Sequence, residues 1–156
     1  MADRVPMTMQ GHARLREELN RLKGEVRIQL SKEIGKAREL GDLSENAEYH
    51  AAKEKQGQVE AQIRHLESQL GKAEVVDTSK LRGSRVMFGA TVTVEDDGNE
   101  QVFQIVGADE ADAKNGKISF LSPVARGLIG KEEGDTAKIQ TPRGLKELEI
   151  VKVVFV

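Results

Sequence analysis

The 156-residue chain has no cysteine, no tryptophan and a single tyrosine. Without thiols it forms neither disulfides nor thiolate metal sites, which fits a reducing cytoplasm. An excess of either charge is also missing. With 24 lysines and arginines against 26 aspartates and glutamates, the formal net charge is −2. No bulk attraction to nucleic acid follows, so any basic function must come from a local patch. The start, Met1-Ala2-Asp3-Arg4-Val5-Pro6-Met7-Thr8, lacks the apolar run of a signal peptide, and no later stretch is suited to span a bilayer. Gly-rich phosphate loops, nucleophile elbows and histidine-metal motifs are absent, and His12, His50 and His65 have no ligand spacing to each other. A cytoplasmic protein with no membrane partner is expected.

What the chain does have is helical periodicity. Leu15, Leu19, Leu22, Val26, Leu30, Ile34, Ala37 and Leu40 form one stripe. Ala52, Val59, Ile63, Leu66, Leu70 and Ala73 form a second, with Gln56 in the vacant seam position. The spacing predicts two helices, over roughly 10–41 and 44–76, packed as an antiparallel hairpin. Each arm would be about 45 Å long, and Leu22 would lie near Ile63, Val26 near Val59 and Ile34 near Ala52. Thr8 suits the N-cap of the first helix and Gly41 its left-handed C′ position. Gly57, inside the second helix, costs about 1 kcal/mol relative to alanine. An apolar content of 38% with 32% charged residues suits such a surface-rich, elongated form.

After Asp77-Thr78-Ser79 the period changes. Residues 90–95 and 101–106, joined across Asp96-Asp97-Gly98-Asn99, have the form of a β-hairpin. Residues 117–121 read as a further strand, Ser122-Pro123 as the cap and first residue of a short helix to about Ile129, and 136–141 and 145–156 as two strands around Pro142-Arg143-Gly144. The fold class is therefore α+β. An N-terminal helical coiled-coil hairpin occupies residues 1–77, and a small antiparallel β domain with one short helix occupies 78–156.

The hairpin tip, Gly41 to His50, carries the carboxylates of Asp42 and Glu45, placed at the cap and first turn of the second helix. Asp-x-x-Glu is a capping-box variant, and acids there offset the positive end of the helix dipole. The same two oxygen donors also suit Mg²⁺, but only as half a site, because Mg²⁺ takes six oxygens. Both readings are open on spacing alone. Arg38 and Lys53 flank the acids on opposite arms, as solvated ion-pairing residues or as a small patch for a phosphate backbone. Tyr49 is placed to cover the hairpin end or to stack on a base.

Taken in order, these motifs resemble the bacterial Gre family of transcript cleavage factors, most closely the GreA type. The likeness is carried by Pro6-Met7-Thr8 with Gly11, Leu15-Arg16-Glu17-Glu18-Leu19, Ala37-Arg38-Glu39, Gly41-Asp42-Leu43 and Glu45-Asn46-Ala47-Glu48-Tyr49-His50-Ala51-Ala52. It continues through Phe88-Gly89-Ala90-Thr91-Val92, Ile105-Val106-Gly107, Asp109-Glu110-Ala111-Asp112 and Ser122 to Glu133. The resemblance implies a coiled coil joined to an FKBP-like domain. It also implies a partner, bacterial RNA polymerase, entered through its secondary channel.

By the same resemblance, Asp42 and Glu45 would help hold a Mg²⁺ shared with the polymerase and orient a water, so that the polymerase hydrolyses backtracked nascent RNA. The chain would have no cofactor of its own, would not be a stand-alone enzyme and would act as a monomer. Arg38, Lys53 and Ser44 would contact RNA, with the lysine standing where family members often carry arginine. Ser122, Pro123, Arg126, Gly127 and Leu128 would dock on the polymerase. Three rivals stand beside this reading: a channel-blocking inhibitor of the same fold, a coiled-coil adaptor without chemistry, and a prolyl isomerase. The last needs an aromatic-lined pocket, for which the C-terminal half offers only Phe88, Phe103, Phe120 and Phe155.

Overall fold

The computed structural model describes residues 4–42, 45–78 and 81–155. The chain divides into two compact units, one made of Met1–Gly11 with Ala73–Val156 and the other of His12–Lys72.

The helical unit is built on a seam of leucines, valines and isoleucine. Helix α1 (Met9–Arg21) runs through a π-helical turn (Leu22–Val26) into α2 (Arg27–Arg38), and α3 (Ala47–Lys72) returns beside it. Leu22, Leu30, Val59, Ile63 and Leu66 are buried together, with Leu15, Leu19 and Val26 packed against them. The π turn has a cause in the stripe. Leu22, Val26, Leu30 and Ile34 are spaced by four, and each such step over-rotates a 3.6-residue helix by about 40°. A wider turn, in which the Arg27 N–H donates to the Leu22 carbonyl, takes up part of that drift. Register across the hairpin is held by Arg27, which donates through Nε and Nη2 to both oxygens of Glu60, each at 2.8 Å. A looser Lys23–Glu67 pair lies at 3.7 Å.

Both helices are shorter than their apolar stripes suggest. At 26 residues α3 is about 39 Å long. The first run stops at Arg38 in a tightened turn, with the Glu39 N–H donating to Lys36 O and the Leu40 N–H to Ala37 O. Leu40 therefore leaves the seam and is 65% exposed. Gly41 has a positive φ of 127° but sits past the helix end and does not cap it. At the other end, Ala73–Val76 is a strand, β2, which pairs in parallel with β1 (Val5–Thr8) from Val5 beside Ala73 to Thr8 beside Val76.

Besides the β1–β2 pair, the other unit holds a five-stranded sheet in the order β5-β4-β3-β7-β6. Its strands are β3 (Ala90–Asp96), β4 (Asn99–Val106), β5 (Lys117–Ser119), β6 (Thr136–Thr141) and β7 (Gly144–Phe155). The β3–β4 turn places Asp97 and Gly98 both at positive φ, the twist that a two-residue hairpin prefers. The expected all-antiparallel sheet is mixed, because β5 runs parallel to β4. Two short 3₁₀ turns, Ala108–Glu110 and Ala113–Asn115, carry the chain back between them. Ala90, Val92 and Val94 alternate inward from β3 and bury against Ile105, Ile139, Leu148 and Ile150. A helix, α4 (Pro123–Leu128), closes that core with Ala125 and Leu128. Burying each large aliphatic side chain there contributes about 1.5–3 kcal/mol.

Within this unit the N-terminal arm is anchored by Thr8. As expected, Thr8 caps α1, its Oγ1 accepting from the Gly11 N–H at 3.0 Å. The same hydroxyl donates to Oε1 of Glu110, while the Thr8 N–H donates to Oε2 at 3.0 Å. Glu110 Oε2 also accepts from the Gly107 N–H at 2.8 Å. A β-carbon on Gly11 would lie 1.8 Å from Glu110 Oε1, so the glycine of the Pro-Met-Thr-x-x-Gly motif makes room for this carboxylate.

Candidate functional site

Where the two long helices meet, the chain has to end one helix and begin another within eight residues, and Asn46 organises the exchange. It is the N-cap of α3: its Oδ1 accepts from the Tyr49 N–H at 3.0 Å, and its carbonyl accepts the first helical bond from His50 at 3.1 Å. Its Nδ2 donates to the carbonyl of Ala37, in the last turn of α2. The expected placement of Asp42 and Glu45 at the cap and first turn of α3 is therefore corrected. The helix starts at Ala47, and both acids precede it in a turn in which the Glu45 N–H donates to the Asp42 carbonyl at 3.3 Å. The signal that could have found the cap was present, since asparagine is among the strongest N-cap residues and Glu48 follows in the first turn.

Asp42 and Glu45 are both exposed. With Leu40, Asn46, Ala47 and Glu48 they line an open depression of about 380 Å³. The structure thus brings the two predicted acids together and adds Glu48 at the rim. Among the described residues no group of three His, Asp or Glu side chains is placed to hold a metal ion. The donor set fits a hard cation whose remaining oxygens come from elsewhere.

Two further cations flank the tip beside Arg38 and Lys53. Lys36 and Lys55 share an open groove of about 550 Å³ with Leu40, Ala37 and Ala52. Arg38 and Lys53, two positions away along each helix, stand about 200° around from those lysines. Both are exposed, and Lys53 Nζ donates to Gln56 Oε1 at 3.0 Å. Ser44 lies outside the described residues. Tyr49 is half-buried, its ring edge-on to that of His50 at 5.7 Å between centroids.

The second predicted surface, on α4, is half structural. Ser122 caps the helix, its Oγ accepting from the Ala125 N–H at 3.3 Å, and Pro123 takes the first turn. Leu128 is fully buried, so as a partner contact it is corrected to a core residue. Gly127 seats α4 on β6, since a β-carbon there would lie 2.7 Å from Ile139 Cγ1. Pro123 and Arg126 remain exposed. Beside them stand two exposed apolar residues, Leu121 at 51% and Ile129 at 39%.

Residues 5–75 match the family model described as "Transcription elongation factor, N-terminal", and residues 81–155 the one described as "Transcription elongation factor, GreA/GreB, C-term". The chain belongs to the GreA/GreB family of transcription elongation factors. Among its relatives, transcription elongation factor GreA of Hyphomonas neptunium is 55% identical over 155 residues, covering 98% of this chain and 99% of the relative. The GreA of Vibrio parahaemolyticus is 54% identical over 157 residues and 99% of each. Against a crystal structure of GreA factor homolog 1 of Thermus thermophilus, identity is 28%, coverage 97% of this chain and 99% of that one, and the TM-score 0.44. The assignment rests on sequence: matches of over half the residues, end to end, make this a GreA-type elongation factor. No helix among the described residues is long and apolar enough to cross a membrane.

Proposed function

We propose that this factor binds bacterial RNA polymerase through the secondary channel and stimulates the polymerase's own cleavage of backtracked nascent RNA. The observation that carries the reading is the Asp42–Glu45 turn, which sets two exposed carboxylates at the end of the helical hairpin, outside its seam. Such a pair cannot complete a Mg²⁺ shell, but it can complete one that another macromolecule has begun. When bound, the shared ion supplies Lewis-acid stabilisation and a nucleophilic water. Asp42 and Glu45 act by holding and orienting, not by forming a covalent bond to RNA. Arg38, Lys53 and Ser44 contact the RNA. Pro123 and Arg126, on the exposed side of α4, dock on the polymerase, with Ser122 and Gly127 shaping that surface.

The test is RNA cleavage in purified backtracked elongation complexes, comparing the natural protein with the Asp42→Asn, Glu45→Gln double variant. Stimulation is expected to fall roughly 10²–10³-fold, as on removing a well-placed transition-state group, while polymerase binding persists. If neither protein stimulates and the natural one slows elongation, the channel-blocking inhibitor is the correct function. No effect of either leaves the adaptor.

A further inference from the structure

Asn46 is not among the residues assigned above to the cation or the RNA, yet its side chain bonds to both helix ends at the tip. We propose that Asn46 is a positioning residue for Asp42 and Glu45. The inference rests on the function proposed above and deepens it. Both faces of the amide are in use, Oδ1 on the Tyr49 N–H of α3 and Nδ2 on the Ala37 carbonyl of α2. The amide orientation is fixed by those partners, one a donor and the other an acceptor. Ala37 is only 4% exposed, so the stem of the connection on the α2 side is packed. Asn46 is half-buried on the other stem, next to Glu45. The clamp therefore ties Asn46, next to Glu45, to Ala37 at the end of α2, and the Glu45 N–H to Asp42 carbonyl bond links the two acids' backbones.

Asparagine is the residue this geometry demands. Aspartate keeps the cap but sets a carboxylate against the Ala37 carbonyl, serine keeps the cap without a donor that reaches it, and alanine loses both. Two carboxylates that share one cation must be held within a fraction of an ångström, and a misplacement of about 1 Å costs roughly 10²-fold in rate. The clamp supplies that constraint through the backbone on which the acids stand.

The experiment uses the full chain in backtracked complexes with Asn46→Ser as the main variant, because it adds no charge and retains a cap. Asn46→Asp and the Asp42→Asn, Glu45→Gln variant run beside it. The maximal cleavage rate at saturating factor is expected to fall about 10–100-fold in Asn46→Ser. The Mg²⁺ concentration for half-maximal cleavage should rise, with no change in the factor concentration that half-saturates the polymerase. Excess Mg²⁺ should restore much of the rate to Asn46→Ser and none to Asp42→Asn, Glu45→Gln. Amide exchange at Tyr49 and His50 reports whether α3 still begins at Ala47. A wild-type rate and Mg²⁺ midpoint in Asn46→Ser overturn the inference while leaving the function standing. So does a loss of rate that Mg²⁺ does not restore and that comes with lost amide protection, which would make Asn46 a structural cap only. If the double variant cleaves as well as the natural protein, the tip-carboxylate reading itself falls, and the clamp with it.

Discussion

Thr8 and Glu110, 102 residues apart in the chain, share two hydrogen bonds, with both the amide and the hydroxyl of the threonine donating to the carboxylate. Because the Thr8 hydroxyl also accepts from Gly11, one side chain serves at once as the cap of α1 and as the tie of the N-terminal arm to the Gly107–Glu110 turn. Glu110 is 7% exposed, so its loss leaves donors in a place that water does not easily reach.

Replacing Glu110 by alanine is expected to destabilise the sheet-containing unit by about 2–4 kcal/mol, the order of two or more buried donors left unpaired. Urea denaturation followed by circular dichroism reads it. Gly11→Ala should also destabilise, since the new β-carbon displaces that same carboxylate. The two losses should add to less than their sum, because both act through one group.

The Arg27–Glu60 pair makes a pH prediction. The Arg27 guanidinium, through its hydrogen bonds and then its charge, holds the Glu60 carboxyl below the usual glutamate range, and Glu60 raises Arg27. A carboxyl lowered by folding stabilises the fold above its unfolded value and loses that contribution as pH falls through the folded one. The difference in denaturation midpoint between the natural protein and Glu60→Gln should be constant from neutral pH to about pH 5 and shrink below about pH 4. A difference unchanged at pH 3 would show that Glu60 acts through packing.

Gly57 lies exposed in the middle of α3, and a β-carbon there meets no atom within 4 Å. It neither allows a close approach nor breaks the helix, which runs unbroken from Ala47 to Lys72. Gly57→Ala should stabilise the helical unit by about 0.4–1 kcal/mol, measured as a shift in its thermal midpoint.

On α4 the exposed and buried residues should separate in experiment. Leu128→Ala should cost about 2–5 kcal/mol as a core truncation and weaken polymerase binding only through unfolding. Arg126→Ala should leave the denaturation midpoint within about 0.5 kcal/mol and weaken binding directly. A binding assay run beside the melts distinguishes the two.

How much of this was legible beforehand depends on range along the chain. The seam from Leu22 to Leu66, the Asp97–Gly98 turn and the Ser122–Pro123 helix start follow from spacing and turn chemistry within a few residues, and the structure carries all three. The acids Asp42 and Glu45 were legible as residue types, but their place in a turn before α3 was not. Asn46 is itself a strong N-cap residue three positions before Tyr49, and its second bond, to the Ala37 carbonyl, joins α3 to the end of α2. Ala73–Val76 continues a helical pattern locally and becomes a strand because Val5–Thr8 offers it a ladder. Glu110 reads as one more surface acid until Thr8 arrives from the other end of the chain.

Local chemistry by itself determined the helical stripes, the turns and the family motifs, because propensity and periodicity act between near neighbours. Only the tertiary structure decided which carboxylate is buried and which face of α4 stays exposed. Each of those depends on a polar or apolar group brought from far along the chain, and no window of sequence holds both halves of the contact.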